Sequence, residues 1–197
     1  MRPDLDVVAA LVPARARVLD LGCGDGSLLE HLIAAKGCDG HGVEISDEGV
    51  YACVARGVPV LQGDIDRGLA GLEDSSFDVV VLSQTLQATH RPAFVLREMR
   101  RVGRGAVVSF PNFGHWRVRT VLALRGRMPV VALLPHVWHE TPNIHLCTLS
   151  DFEALARAEG LGVSRRVLLG ADGRPARRAA GLRPNLLAGA LVYRLRR

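Results

Sequence analysis

Between residues 17 and 111 the apolar positions switch back and forth between two spacings. Short, nearly continuous apolar runs read as strands buried on both faces, and the stretches between them repeat every three or four residues, as a half-buried helix does. Strands are predicted over 18–21, 40–45, 58–63, 77–83 and Gly105–Pro111. Helices are predicted over 5–12, Ser27–Lys36, 46–56 and Pro92–Val102, with Ser46 as an N-cap and Pro92 in a first turn. Gly37 and Gly57 stop the second and third helices. Leu28, Leu29, Leu32 and Ile33 share one helical face, and Val95, Leu96, Met99 and Val102 share another. After residue 111 the rhythm breaks. Ser150-Asp-Phe-Glu153 reads as a capping box opening a helix to Glu159, which Gly160 closes. Strands over 161–169 and 186–193 follow with no helix between them, joined by a polar loop at 174–183 that is expected to be mobile. The pattern predicts an α/β fold. Its sheet is doubly wound, seven-stranded and mostly parallel, with right-handed crossovers and an antiparallel C-terminal edge hairpin.

At 197 residues the chain is expected to form one domain over 1–197, with an insertion at about 112–145 after the fifth strand. No apolar run approaches the roughly 20 residues of a bilayer span, and no basic-then-apolar leader opens the chain. A cytoplasmic protein without membrane contact is expected. Cysteines 23, 38, 53 and 147 are scattered without a C-x-x-C pair, so they read as reduced packing residues and no metal site is expected. Charge divides the chain unevenly. Residues 1–99 carry 15 acids and 8 bases, and residues 100–197 carry 5 acids and 17 bases. Such asymmetry suits a nucleic-acid, phosphate or acidic-protein partner. Yet 24 of the 25 basic residues are arginine, which looks like coding bias as much as surface selection. With aromatics at 5% and no aromatic-interleaved basic patch of the kind that binds RNA, no nucleic-acid partner is expected.

The chemistry concentrates at 17–32. A strand ends in glycines at 22, 24 and 26, and a helix opens at Ser27. Glycines let the backbone turn sharply and approach a ligand, and a helix N-terminus offers free N–H groups. The dinucleotide fingerprint is G-x-G-x-x-G, but here the third glycine comes one residue early. Asp20 and Asp25 flank the loop, and carboxylates would repel a pyrophosphate. They suit an ammonium group and hydroxyls instead. Glu44, ending the second strand, can accept hydrogen bonds from a ribose. Asp64 and Ile65 end the third strand, and Ser83 ends the fourth.

The apolar-apolar-acid-apolar-G-x-G-x-G pattern resembles motif I of class I S-adenosylmethionine-dependent methyltransferases. That resemblance implies binding of S-adenosylmethionine or S-adenosylhomocysteine by Asp20, Gly22, Gly24, Gly26, Glu44, Asp64, Ile65 and Ser83. Asp64 would meet the adenine amino group, Ile65 its ring, and Ser83 the methyl-transfer face. The N/D-P-P-Y tetrad of many amide and adenine N-methyltransferases is absent, which disfavours those substrates. Longer strings narrow the family: Leu19-Asp-Leu-Gly-Cys-Gly-Asp-Gly26, Ser83-Gln-Thr-Leu-Gln87, Phe110-Pro-Asn-Phe-Gly-His-Trp116, Gly126-Arg-Met-Pro129, Thr141-Pro-Asn-Ile-His145 and the opening Arg2-Pro-Asp-Leu. Over about residues 1–170 the chain resembles the methionine biosynthesis protein MetW family. The resemblance implies an accessory role beside homoserine O-acyltransferase, an α/β-hydrolase-type enzyme, in making O-acylhomoserine. The alternative is a catalytically active small-molecule methyltransferase.

The segment 112–145 holds four of the seven histidines and both tryptophans. It can be read as a packed helical insert, as a protein-binding surface rich in Trp and Arg, or as a substrate site with His115 or His139 as a base. Acyl transfer by this chain alone is not expected, because a serine acyltransferase needs a nucleophile elbow and no G-x-S-x-G occurs.

Overall fold

The computed structural model describes residues 2–131, 134–176 and 178–197, with Arg178 and Ala179 as backbone only. The expected alternation is present. Strands β1 (Arg17–Leu21), β2 (Asp39–Glu44), β3 (Val60–Gln62), β4 (Val79–Ser83) and β5 (Gly105–Pro111) are interleaved with helices. The helices are α1 (Pro3–Leu11), α2 (Ser27–Lys36), α3 (Asp47–Ala55) and α4 (Pro92–Val102). Then come α5 (Trp116–Arg125), α6 (Leu149–Ala158), β6 (Gly162–Leu169), α7 (Pro184–Leu187) and β7 (Ala190–Arg196). The sheet runs β3-β2-β1-β4-β5-β7-β6. β1 to β5 pair in parallel, and β7 lies antiparallel between β5 and β6. No helix among the described residues is long and apolar enough to cross a membrane.

Pleating explains the two cores. Val80 and Leu82 of β4 face a cluster that includes Val95, Leu96 and Met99 of α4 and Phe152 of α6. Val79 and Val81 face Leu5 and Val8 of α1 and Leu28, Leu29 and Leu32 of α2. A strand buried on both faces must be apolar at every position, which is why β4 reads as a continuous run. Each fully buried Val or Leu contributes on the order of 2 kcal/mol of transfer free energy.

Two expectations are corrected. Helix α6 is capped two residues earlier than Ser150. Thr148 Oγ1 accepts the Asp151 N–H (3.3 Å) and Asp151 Oδ2 accepts the Thr148 N–H (3.1 Å). That box draws Leu149 into the core and releases Glu153 to accept the Tyr193 hydroxyl at 2.9 Å. The last strand begins at Ala190, not at 186. Pro184 pre-sets a helical first turn, and the N–H groups of Leu186 and Leu187 return to the Arg183 carbonyl. The described part of 174–183 makes local contacts. Pro175 bridges Leu169, the Arg174 carbonyl accepts the Gly170 N–H at 2.8 Å, and a 3₁₀ turn spans Arg178–Gly181. Arg177 lies outside the described residues.

Candidate ligand-binding cleft at the switch point

Strand order reverses between β1 and β4, so their carboxyl ends splay apart and leave a crevice. Two lobes of about 310 and 460 Å³ occupy it and adjoin at Gly22, Gln84 and Thr85. The first lobe is walled by Glu44, Asp64, Ile65, Gln87, Pro142 and Asn143, among others. Arg2, Asp20, Gly24, Asp25 and Ser83 line the second. Both volumes fall in the range of small-molecule sites.

The glycine loop is built for close approach. Gly22 has φ +70°, and a Cβ there would meet Thr85 Cγ2 at 2.6 Å. Gly24 has φ +56° and nothing within 4 Å of where its Cβ would lie, so the space on that side of its Cα is open. Gly26 caps α2 with φ 74° and does not line either lobe. Opposite the loop, the β4 end is strained. Gln84 has φ +56°, a conformation that costs a non-glycine residue about 1–2 kcal/mol. Its N–H is held by the Ser109 carbonyl (2.9 Å) and hydroxyl (3.1 Å), and Ser83 Oγ lies 3.0 Å from the same Ser109 hydroxyl.

Asp20 is buried at the floor of the second lobe, and its Oδ1 has no hydrogen-bond partner. Burial, with the Glu44 charge added, pushes its carboxyl up to about 7. An orphaned carboxylate oxygen beside a backbone cradle fits an ammonium donor. Glu44 is not the solvent-facing acid its strand-end position suggests. Oε2 accepts the Gly24 N–H at 2.8 Å, and Oε1 accepts the N–H groups of Ile45 and Ser46 and the Ser46 hydroxyl, each at 3.0 Å. Oε1 is saturated, so a ribose hydroxyl can be accepted only at Oε2. Asp64 Oδ1 accepts the Asp66 N–H at 2.9 Å, while Arg67 approaches its other oxygen at 3.4 Å.

The histidines do not join this set. His115 is buried as the N-cap of α5, and its Nδ1 accepts the Arg117 N–H at 3.3 Å. Burial and the neighbouring Arg117 lower its pKa. His139 stands beside Glu140 at 3.8 Å, in a separate groove. Neither lines the cleft. Among the described residues no three His, Cys, Asp or Glu side chains gather as a metal site. Sequence reasoning passed over Arg2, Gln87, Pro142 and Asn143 as wall residues. Gln87 is buried, its Oε1 is unpartnered, and its carbonyl accepts the N–H groups of Ile144 (2.7 Å) and His145 (2.9 Å). That clasp brings the segment after β5 to the first lobe.

A sequence model of the family described as methionine biosynthesis protein MetW matches residues 2–195, well past the residue-170 limit of the sequence resemblance. The bifunctional methionine biosynthesis protein MetXA/MetW of Rhodopirellula baltica is 37% identical over 161 residues, covering 77% of this chain and 26% of that protein. The chain thus spans about a quarter of that relative. The ubiquinone biosynthesis O-methyltransferase of Ralstonia nicotianae is 30% identical over 164 residues, covering 80% of this chain and 68% of that protein. Among solved structures, an S-adenosylmethionine-dependent methyltransferase from Mesorhizobium loti superimposes with a TM-score of 0.70 at 18% identity, over 98% of this chain and 96% of that one. The sheet is that of a class I methyltransferase.

Proposed function

Because the chain belongs to the methionine biosynthesis protein MetW family, we propose that it binds S-adenosylmethionine or S-adenosylhomocysteine and serves as an accessory subunit of homoserine O-acyltransferase. The ligand claim rests on one observation above others, the unpartnered buried Oδ1 of Asp20 in the lobe where the space at the Gly24 Cα is open. In this reading the second lobe takes the amino-acid end. Asp20 faces the ammonium group, and Arg2 lies within reach of the carboxylate. The first lobe takes the adenosine, with Glu44 Oε2 on a ribose hydroxyl, Asp64 on the adenine amine and Ile65 against the ring. When bound, S-adenosylmethionine supplies a sulfonium-activated methyl group. The acidic walls argue against a pyrophosphate. Titration calorimetry tests the ligand claim: saturable binding of either compound is expected, and no heat at about 1 mM, a scale set by, contradicts it.

The accessory role is supported by the relative that joins MetXA to MetW in one polypeptide, with the MetXA portion read as the homoserine acyltransferase. It is supported too by the missing nucleophile elbow, which leaves acyl transfer to the partner. Both proteins are then cytoplasmic. Since methionine is the precursor of S-adenosylmethionine, the cleft is suited to report pathway status. Feedback requires that ligand and partner each change the other's affinity by the same factor. Purification of the acyltransferase with and without this chain tests the partnership, and a stable complex is expected.

The O-methyltransferase relative favours a second reading, a small-molecule methyltransferase. No histidine lines the cleft among the described residues, and the buried Asp20 carboxyl is raised to about 7. Transfer of a radiolabelled methyl group into extract components would establish this alternative.

A further inference from the structure

The segment between β5 and α6 leaves one side of the molecule uncovered. Helix α5 has ten residues and buries only Val118. A helix this short draws its stability from packing, not from propensity. Leu122 and Leu124 stand out from it, Leu124 at 80% exposure. Just beyond its Gly126 stop, Met128, Val130, Val137 and Trp138 line a groove with Arg127 and His139. Trp138 is 72% exposed and Val130 57%. Isolated surface leucines need no explanation, but a contiguous patch containing a bare tryptophan does. The rim of the patch is cationic. Arg117, Arg119, Arg125 and Arg127 are all exposed, and Glu140 is the only carboxylate between residues 112 and 146.

We infer that this face, α5 with the groove lined by Met128, Val130, Val137 and Trp138, is the docking surface for homoserine O-acyltransferase. The partner presents an apolar ridge bordered by aspartates and glutamates. The inference rests on the accessory reading above and gives it a location. Charge disfavours a two-fold dimer through this face, which would set four arginines against four arginines, whereas an acidic rim on the acyltransferase pairs with them. Trp and Arg are also the residues that dominate interface energetics. The same segment continues into Pro142 and Asn143, which wall the first lobe, and into Ile144 and His145, which clasp Gln87. Docking face and ligand cleft are therefore adjacent parts of one strap.

The test is binding of the full chain to the purified homoserine O-acyltransferase of the same organism. Wild type, Trp138→Asp and Leu124→Asp are compared with Val54→Asp, an exposed apolar position on α3 away from the strap. Circular dichroism melts confirm that all four fold alike. The two strap variants are expected to lose roughly tenfold or more in affinity while Val54→Asp binds as wild type. If wild type binds and the strap variants bind equally well, or Val54→Asp loses as much, the docking surface is overturned and the partnership stands. If wild type itself does not bind, the accessory reading fails and the surface with it.

Discussion

Asp20 is a carboxylate that the fold buries at a cost. Its native pKa near 7 lies above the unfolded value of 3.8, so between these values the folded state holds a proton that the unfolded state has lost. Stability therefore falls as pH rises through that window, by at most about 4 kcal/mol once above it. Asp20→Asn removes the cost. It is expected to raise the melting temperature of the unliganded protein at pH 8, and by much less at pH 5, while abolishing calorimetric binding at both. An equal gain at both pH values would contradict buried titration. Glu44 makes a different claim. Losing the acceptor for four donors, Glu44→Ala should cost about 2–3 kcal/mol even without ligand. A solvent-facing strand-end acid would cost nothing, and a urea melt distinguishes the two. Gly24→Val should lose the ligand, because its Cβ enters the open space of the cleft, and it should also cost stability, because a β-branched residue is strained at φ +56°. These positions were legible from the sequence because spacing fixes a glycine loop and strand ends fix acids. The orphaned Oδ1 and the Gln87 clasp were not, since both depend on contacts between distant segments.

At the scale of elements, boundaries were read correctly where one residue dictates them. Pro92 opens α4, and β5 matches its expected span residue for residue. The reading failed where two local signals competed. Thr148-x-x-Asp151 and Ser150-x-x-Glu153 are both capping patterns, and burial of Leu149 decides for the first. Thr148→Ala should thus cost about 1 kcal/mol in chemical denaturation, and Ser150→Ala much less. A larger loss at Ser150 would reverse that assignment. Leu186 looked like a strand residue because periodicity cannot separate a short apolar strand from one helical turn. Asn112, within the F-P-N-F-G-H-W string, shows why that string is more than a site motif. It is buried, its amide donates to the Asn185 (3.0 Å) and Ala188 (2.8 Å) carbonyls, and it accepts the Gly114 N–H at 2.9 Å. It ties the strap to the α7 turn.

For the molecule as a whole, the charge split seen in the sequence takes on a spatial meaning. The acidic half supplies the cleft walls at the ends of β1, β2 and β3, and the basic half supplies the arginine-rimmed strap. The doubly wound sheet was legible from alternation alone. The partner was not, because a fold states neither methylation nor assembly. The Gln87 clasp holds Pro142 and Asn143 of the strap at the first lobe, where a bound ligand would touch the segment proposed to meet the acyltransferase. The most direct measurement is the rate of O-acylhomoserine formation by homoserine O-acyltransferase, purified alone and then mixed with an equimolar amount of this chain. A rise of roughly tenfold or more on mixing, about 1.4 kcal/mol of barrier, is expected. An acyltransferase equally active with and without the chain would contradict the accessory role.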